Sequence, residues 1–165
     1  MPIAAQLVLV LATFLCSLVA GFLFAFAVVV MPGIKPLGDR EFLRAFQAMD
    51  RVIQKGQPLF GLVWLGSVVA LVAGLALGAG QTSGLETVLL ALAGGVYLLG
   101  VQLPTFIINI PLNNALQALD VDGADEATLR TTRERFEPRW NRWNTIRAAF
   151  STMTSAMLIV LLLRL

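Results

Sequence analysis

Long apolar runs alternate with short charged segments along this chain. Four of the runs are long enough for helices that cross a hydrocarbon core about 30 Å thick, at a rise of about 1.5 Å per residue. The pattern predicts one integral-membrane domain, residues 1–165, with membrane helices at about 4–31, 59–80, 87–119 and 139–164. A cleaved signal peptide is the alternative for the first run, but that run is much longer than the ~7–15 apolar residues of such peptides.

Two charged segments connect these helices, and both carry helical patterns. In the first segment, apolar residues recur at helical spacing: Phe42, Phe46, Met49 and Ile53. This pattern predicts an amphipathic helix lying flat on the membrane surface, with a lid over a site between the membrane helices as the alternative. The second segment predicts a charged helix over 124–137, after which Pro138 restarts the chain into the fourth run. The predicted fold is all-α: a four-helix transmembrane bundle with a cytoplasmic cap of amphipathic helices.

Three further prolines interrupt the apolar runs. The sequence Met31-Pro32-Gly33 is expected to stop the first helix, since proline cannot continue the hydrogen-bond ladder. Pro104 and Pro111 are instead expected to kink the third helix, which continues to about Leu119. This continuation would place four side chains on one face: Gln102, Phe106, Asn109 and Asn113.

Small residues at four-residue spacing predict close contacts between membrane helices. Ser17, Gly21 and Ala25 recur on one face of the first run, and Gly74 and Gly78 lie in the second. Such spacing lets the backbones of two helices approach each other. We therefore expect both faces to pack against neighbouring helices.

Composition and charge agree with a membrane environment. Hydrophobic residues make up 58% of the chain and charged residues 13%, whereas soluble domains are about 45–50% apolar. Basic residues concentrate in the two charged segments, so the positive-inside rule places loops 32–58 and 120–138 in the cytoplasm. We predict a multi-pass protein whose partner is the lipid bilayer. Its wealth of Ala, Leu, Gly and Arg and its few lysines suggest a bacterial inner membrane. No nucleic-acid partner is expected, because the basic residues flank apolar runs.

The residue types that are absent narrow the chemistry. Histidine does not occur, and the single cysteine, Cys16, lies inside an apolar run. The commonest metal ligand, the usual haem ligand and the usual general base at neutral pH are therefore missing. No metal site is expected, and any chemistry must use carboxylates, arginine, asparagine, tyrosine, tryptophan or a borrowed cofactor.

Polar and aromatic side chains gather where the third and fourth runs meet the charged segments. Arg147 lies about one turn inside the fourth helix. An ionisable residue at that depth is a functional-site candidate, with snorkelling to the headgroups as the alternative. The residue belongs to a polar stripe that faces the bundle: Trp140, Asn144, Arg147, Ser151 and either Thr154 or Ser155.

Other residues at this end of the bundle are candidates for the same site. Asn109 and Asn113 either contact a ligand or tie helices together, and either amide oxygen could pair with an arginine. Trp140 and Trp143 form either an interfacial belt or flat walls for a planar ligand. Asp50 is the best candidate for a functional carboxylate or partner of Arg147, with a solvated surface position as the alternative. The sequence predicts a pocket at the cytoplasmic end for a planar or amphiphilic molecule, lined by Asn109, Asn113, Trp143, Asn144 and Arg147.

Three motifs resemble the anthrone oxygenase-like family of small four-helix integral membrane proteins: Asn109-Ile-Pro-Leu-Asn113, Trp143-Asn144-Thr-Ile-Arg147, and Met31-Pro32 after the first helix. The resemblance covers almost the whole chain in the order of its apolar runs. It implies an oxygenase without metal, flavin or other cofactor that acts on anthrones, whose acidic benzylic C–H gives an anion that reacts directly with oxygen.

The resemblance also implies roles for the candidate residues. Arg147 with Asn109 or Asn113 would hold the phenolate-like oxygen as the catalytic group. Trp140 or Trp143 would form the stacking wall, and Asn144 and Asp50 would complete the ligand-binding site. The general base stays open between Asp50 and Glu137.

Other classes of function stay open beside the enzyme. The chain is alternatively a non-catalytic binding or accessory protein for a lipid, a quinone or a partner subunit, and homo-oligomerisation is also open. A secondary transporter is disfavoured, because the chain has 165 residues and no internal repeat. Turnover of an anthrone by the purified protein would separate the enzyme from the accessory role.

Overall fold

The computed structural model of the protein describes residues 1–165 and contains five helices and no strands. They are α1 (Ile3–Ile34), α2 (Asp39–Gln54), α3 (Pro58–Gly78), α4 (Leu85–Gln117) and α5 (Glu126–Leu162). Helices α1, α3, α4 and α5 are long and apolar enough to cross a membrane. The predicted all-α bundle is confirmed, and the chain is a multi-pass membrane protein.

The four long helices pack around a common core. Helix α1 packs against α3 and α5, and α4 packs against α5 and, less extensively, against α3. The buried core combines apolar side chains from all four long helices, including Leu9, Leu71, Tyr97 and Leu158. The buried face of α1 combines large residues with small ones, which are Ala5, Ala12, Thr13, Cys16 and Ala20.

Of the two small-residue faces that were predicted to form close helix contacts, only the one on α3 does so. A Cβ added to Gly74 would lie 2.6 Å from Leu9 Cδ2, so α3 does approach α1 closely at that glycine. The prediction for Ser17, Gly21 and Ala25 is wrong, because these residues are exposed and nothing lies within 4 Å of a Cβ at Gly21. A different set of small residues at four-residue spacing, Ala12, Cys16 and Ala20, is buried instead, and these residues let neighbouring helices approach that face of α1.

Helix α2 docks on the protein rather than lying flat on the membrane. Its apolar residues Phe42, Leu43 and Phe46 are at most 2% exposed and pack against Phe136 and Trp140 of α5. Two arginines clamp the N-terminal end of α2. Arg133 of α5 donates to the backbone oxygens of Lys35 and Leu37 and to Asp39, and Arg40 of α2 donates to the 121–124 turn and to Glu126. The helix thus caps one end of the bundle, here called the cap side.

The predictions that Pro32 ends a helix and that Pro138 begins a new one are both wrong. Met31-Pro32-Gly33 does not stop the first helix, because α1 continues to Ile34. Pro138 does not restart the chain, because α5 runs without a break from Glu126 to Leu162. The second cap helix is therefore the extension of the fourth membrane helix beyond the membrane.

A wider helical turn lets the chain pass three of its prolines. Turns with i→i+5 hydrogen bonds cover Phe26–Val30, Leu98–Gln102 and Thr105–Asn109, and each ends two residues before a proline: Pro32, Pro104 and Pro111. A proline ring clashes with the carbonyl four residues earlier, and the wider turn accommodates the ring without ending the helix. The prediction that α4 continues past Pro104 and Pro111 is confirmed, with its end at Gln117.

Candidate functional site

A cavity of about 280 Å³ lies at the cap side, between α1, α3, α4 and α5 and beneath α2. Its walls are mainly aromatic: Phe22, Phe26, Phe46, Phe60, Trp64, Phe106 and Trp140. Its polar lining comes from α2, α4 and α5: Asp50, Gln54, Thr105, Asn109, Asn113, Asn114, Asn144 and Arg147. Apolar walls with a few convergent polar groups are typical of a small-molecule site.

Arg147 is a buried cation without an anionic partner. It is 4% exposed, so its guanidinium does not snorkel to the membrane surface. Nη1 donates to Thr105 Oγ1 at 2.9 Å and Nη2 donates to Asn144 Oδ1 at 3.1 Å. Nε has no acceptor, and no carboxylate forms a salt bridge with the side chain. A buried charge is costly unless it is paired, and this one is satisfied only by neutral oxygens.

Asn109 adds a second unsatisfied group to the same cavity. Its side chain is 2% exposed, and neither Oδ1 nor Nδ2 has a hydrogen-bond partner within the protein. The i→i+5 turn over Thr105–Asn109 holds this residue and Thr105 on the buried side of α4. Buried polar groups are normally paired, so an unpaired amide in a residue that lines the cavity is a candidate contact for a bound molecule or water.

Asp50 enters the cavity from the cap helix and is held by three amides. Its carboxylate is 5% exposed, so the solvated surface position is excluded. Oδ1 accepts from Asn113 Nδ2 at 2.8 Å, and Oδ2 accepts from Gln54 Nε2 at 2.7 Å and Gln117 Nε2 at 3.0 Å. A carboxylate has about four lone-pair sites, so about one acceptor position stays free on Oδ1.

Trp140 is linked to this carboxylate through Asn113. The indole Nε1 donates to Asn113 Oδ1 at 2.8 Å, and the same amide donates to Asp50. The Trp140 ring is 5% exposed and packs edge-on against Phe46. The residue is therefore a rigid wall of the cavity rather than part of an interfacial belt.

The predicted polar stripe of α5 is buried throughout, whereas the predicted face of α4 has both buried and exposed members. Asn144, Ser151, Thr154 and Ser155 are all buried, which confirms the inward-facing stripe of α5. Asn144 also donates to the backbone oxygen of Leu23 at 3.0 Å and so ties α5 to α1. On α4, Gln102 is buried and accepts from Trp64 Nε1 at 3.0 Å, but Phe106 is 61% exposed at the edge of the cavity.

The structure does not bring all the predicted residues together. Trp143 is half-buried and does not line the cavity, so its expected place in the pocket is wrong. Glu137 accepts from Arg133 Nε at 2.8 Å in the cap and is likewise outside the cavity. Asn113 contacts Asp50 rather than Arg147, and the expected pairing of Arg147 with Asn109, Asn113 or Asp50 is not formed.

Several residues of the site were missed from the sequence. Thr105 is the closest partner of Arg147, and its only signal is a polar residue four positions before Asn109. Phe22, Phe26, Phe60 and Trp64 lie in apolar runs where aromatic residues are ordinary core. Nothing in their spacing distinguishes a cavity wall from a packed interface.

These features define a small multi-pass membrane protein with an aromatic cavity, a buried cation and a buried carboxylate at one end of its bundle. The chain belongs to the anthrone oxygenase family: the family model described as anthrone oxygenase matches residues 49–157. The matched part contains Asp50, Asn109, Asn113, Trp140 and Arg147, and the predicted family membership is confirmed. No curated protein and no solved structure matches the chain.

Proposed function

We propose that the protein is a membrane-embedded oxygenase that needs no metal or flavin and converts a planar anthrone to the corresponding quinone. The observation that carries this proposal is the unpaired buried cation of Arg147, with the unpaired amide of Asn109, in a cavity with aromatic walls. Family membership supports the same reaction class. The overall reaction takes one O₂ and replaces the two benzylic hydrogens of the anthrone by a carbonyl oxygen, with loss of one water.

The anion-binding part of the proposal rests on Arg147 and Asn109. Deprotonation of the benzylic carbon spreads negative charge onto the carbonyl oxygen of the anthrone. The Nε–H of Arg147 and the Nδ2–H of Asn109 have no partner within the protein and would turn to that oxygen when the ligand is bound. Preorganised donors in a water-poor site stabilise a developing anion strongly. The aromatic walls would stack on the flat rings and hold the reacting carbon away from water.

Asp50 is the proposed general base. It is the only carboxylate that lines the cavity, and its free acceptor position on Oδ1 would take the benzylic proton. The bonds from Asn113, Gln54 and Gln117 fix the carboxylate in one orientation. The resulting carbanion carbon bonds to O₂, giving a hydroperoxide once the outer oxygen is protonated. Loss of the second benzylic proton with cleavage of the O–O bond then gives the quinone and water.

Turnover is tested with the protein in lipid nanodiscs and 1,8-dihydroxyanthrone under air, following oxygen uptake and quinone absorbance against protein-free nanodiscs. Asp50→Asn should lower kcat by about 10²–10⁴-fold, the usual contribution of a positioned base. Glu41→Gln, an exposed carboxylate on the same helix, is the matched control and should keep wild-type kcat. A wild-type kcat in Asp50→Asn would refute the role of Asp50. Saturable binding without turnover by the wild type would favour the accessory role for a lipid, quinone or partner.

The cap side is proposed to face the cytoplasm of a bacterial cell. Ten basic residues lie in 35–55 and 130–142, and the turn 81–84 on the opposite side has none. The native Cys16 is buried, so Ser83→Cys would be the only reactive thiol. An impermeant maleimide should label Ser83→Cys in intact spheroplasts from outside. Labelling only after lysis would show that position 83, and not the cap side, faces the cytoplasm.

A further inference from the structure

One edge of α4 both lines the cavity and faces outward. Phe106, Ile110 and Asn114 recur every four residues along this edge, and all three belong to the cavity lining. Phe106 is 61% exposed, Ile110 is 37% exposed, and Asn114 is exposed as well. Across the gap stand Phe60 of α3 and Gln54 of α2. The cavity therefore has a mouth between α4 on one side and α2 and α3 on the other.

The end of this mouth near the cap is bridged by polar side chains. Gln54 Nε2 donates to Asn114 Oδ1 at 3.2 Å and to Asp50 Oδ2 at 2.7 Å. Gln117 of α4 also donates to the backbone oxygen of Gln47 on α2 at 2.9 Å. These bonds hold the end of α2 against α4 and close the approach from water.

The deeper end of the mouth is closed by a different contact. Trp64 of α3 donates to Gln102 of α4 at 3.0 Å, one turn below Phe60 and Phe106. Between this bond and the Gln54–Asn114 bridge, only apolar side chains frame the opening: Phe60, Phe106 and Ile110.

The depth of the opening follows from the length of α3. This helix has 21 residues, about 30 Å at ~1.5 Å per residue, and so just spans the hydrocarbon core. Phe60 lies in its first turn, which places the opening at the cap-side boundary of the hydrocarbon. Flat rings that are apolar at one end and polar at the other concentrate at this boundary.

We propose that the ligand enters the cavity sideways from the bilayer, through the opening framed by Phe60, Phe106 and Ile110. The partner of this surface is a planar amphiphile dissolved at the hydrocarbon boundary of the cap-side leaflet. This inference rests on the proposed function in one respect, which is that the ligand is a planar amphiphile. Ile110 sets the width of the entrance, and the Gln54–Asn114 bridge stays closed while the ligand passes.

The test measures how fast a membrane-loaded probe reaches the cavity. Phosphatidylcholine vesicles carry the protein, and 1,8-dihydroxyanthraquinone is delivered from donor vesicles by stopped flow. Circular dichroism induced in the visible band of the achiral probe reports arrival, since only the chiral cavity confers it and added tryptophans do not contribute to it. Ile110→Trp should slow uptake by about tenfold or more, with a smaller change in the final signal because entry and exit slow together. Ile110→Ala should speed uptake.

Two controls distinguish entry from the bilayer from entry through the cap side. Ile107→Trp adds the same bulk to a neighbouring lipid-facing position, 58% exposed, that does not line the cavity, and it should leave the rate unchanged. The pair Gln54→Cys with Asn114→Cys, joined by a short bis-thiosulfonate cross-linker, locks the cap side. Because Gln54 and Asn114 line the cavity, this variant is compared with its own form before cross-linking, and cross-linking should leave its rate unchanged. Cross-linking that slows uptake by about tenfold or more, with normal uptake by Ile110→Trp, would overturn the lateral route. Absence of a saturable signal in the wild type would instead refute the proposed function itself.

Discussion

Replacement of Arg147 by methionine should weaken ligand binding and leave the stability of the fold nearly unchanged. The guanidinium is 4% exposed and makes two hydrogen bonds to neutral oxygens, with no carboxylate beside it. Methionine has a similar length and no charge, so the variant removes the proposed anion-binding group and leaves the cavity shape nearly intact. We expect a large loss of binding with little loss of folding.

The expected magnitudes follow from the contacts. A hydrogen bond to a charged group contributes about 1.5–3 kcal/mol, and each ~1.4 kcal/mol is tenfold in affinity, so binding should weaken by about 10–150-fold. Removing an unpaired buried charge stabilises the fold by an amount on the order of a few kcal/mol. The Asn144 oxygen that loses its donor costs about 1–3 kcal/mol. Thr105 keeps its bond to the Val101 oxygen at 2.7 Å and adds little cost. These terms largely offset, so Tm should change little or rise.

The assay is an equilibrium titration with 1,8-dihydroxyanthraquinone, read by tryptophan quenching in detergent and paired with thermal unfolding. Arg142→Met is the matched control, because Arg142 is an exposed cation of the same helix that lies outside the cavity. It should keep wild-type Kd and Tm. Equal Kd for Arg147→Met and wild type would refute the anion site. A strong fall in Tm would show that Arg147 holds the bundle together instead.

Two further predictions concern stability. Gly100→Ala should destabilise the bundle by about 1–3 kcal/mol, because its Cβ would lie 2.7 Å from Phe150 Cγ, whereas Gly95→Ala meets nothing within 4 Å and should be neutral or stabilising in thermal unfolding. Arg133→Lys should loosen the cap and speed proteolysis of the 35–39 connection, because one ammonium with three donors cannot replace the four hydrogen bonds that Arg133 makes through three nitrogens. Arg135→Lys, at an exposed position two residues further along the same helix, should not change the cleavage rate.

Local patterns were sufficient for the membrane helices and for much of the site. Each membrane helix satisfies its own backbone hydrogen bonds, so an apolar run of sufficient length predicts it without knowledge of its neighbours. The inward stripe of α5 was predictable for the same reason, since helical spacing alone puts Asn144, Arg147 and Ser151 on one side. Asn109 is a candidate because polar residues are rare inside membrane helices, whereas nothing in the charged segment around Asp50 distinguishes a functional carboxylate from a solvated one.

Whether a proline ends a helix was not decided locally. Pro138 lies between Phe136 and Trp140, which both pack into the cap, and this packing outweighs the one hydrogen bond that the proline removes. The same cap buries the apolar face of α2 against α5, where the sequence pattern is equally consistent with burial in lipid. A hydrophobic stripe predicts that one face of a helix is buried, but it does not distinguish burial against protein from burial in lipid.

The sequence by itself determined that this chain crosses the membrane four times and carries polar side chains at one end of the bundle. Only the tertiary structure decided how those side chains pair. Asn144 binds a backbone oxygen 121 positions away, Asp50 collects amides from two helices, and Arg147 meets no carboxylate at all. Pairing depends on distances between residues far apart in the chain, whereas helical periodicity depends only on near neighbours. The unpaired state of Arg147 and Asn109, on which the proposed function rests, is therefore a property of the packed bundle.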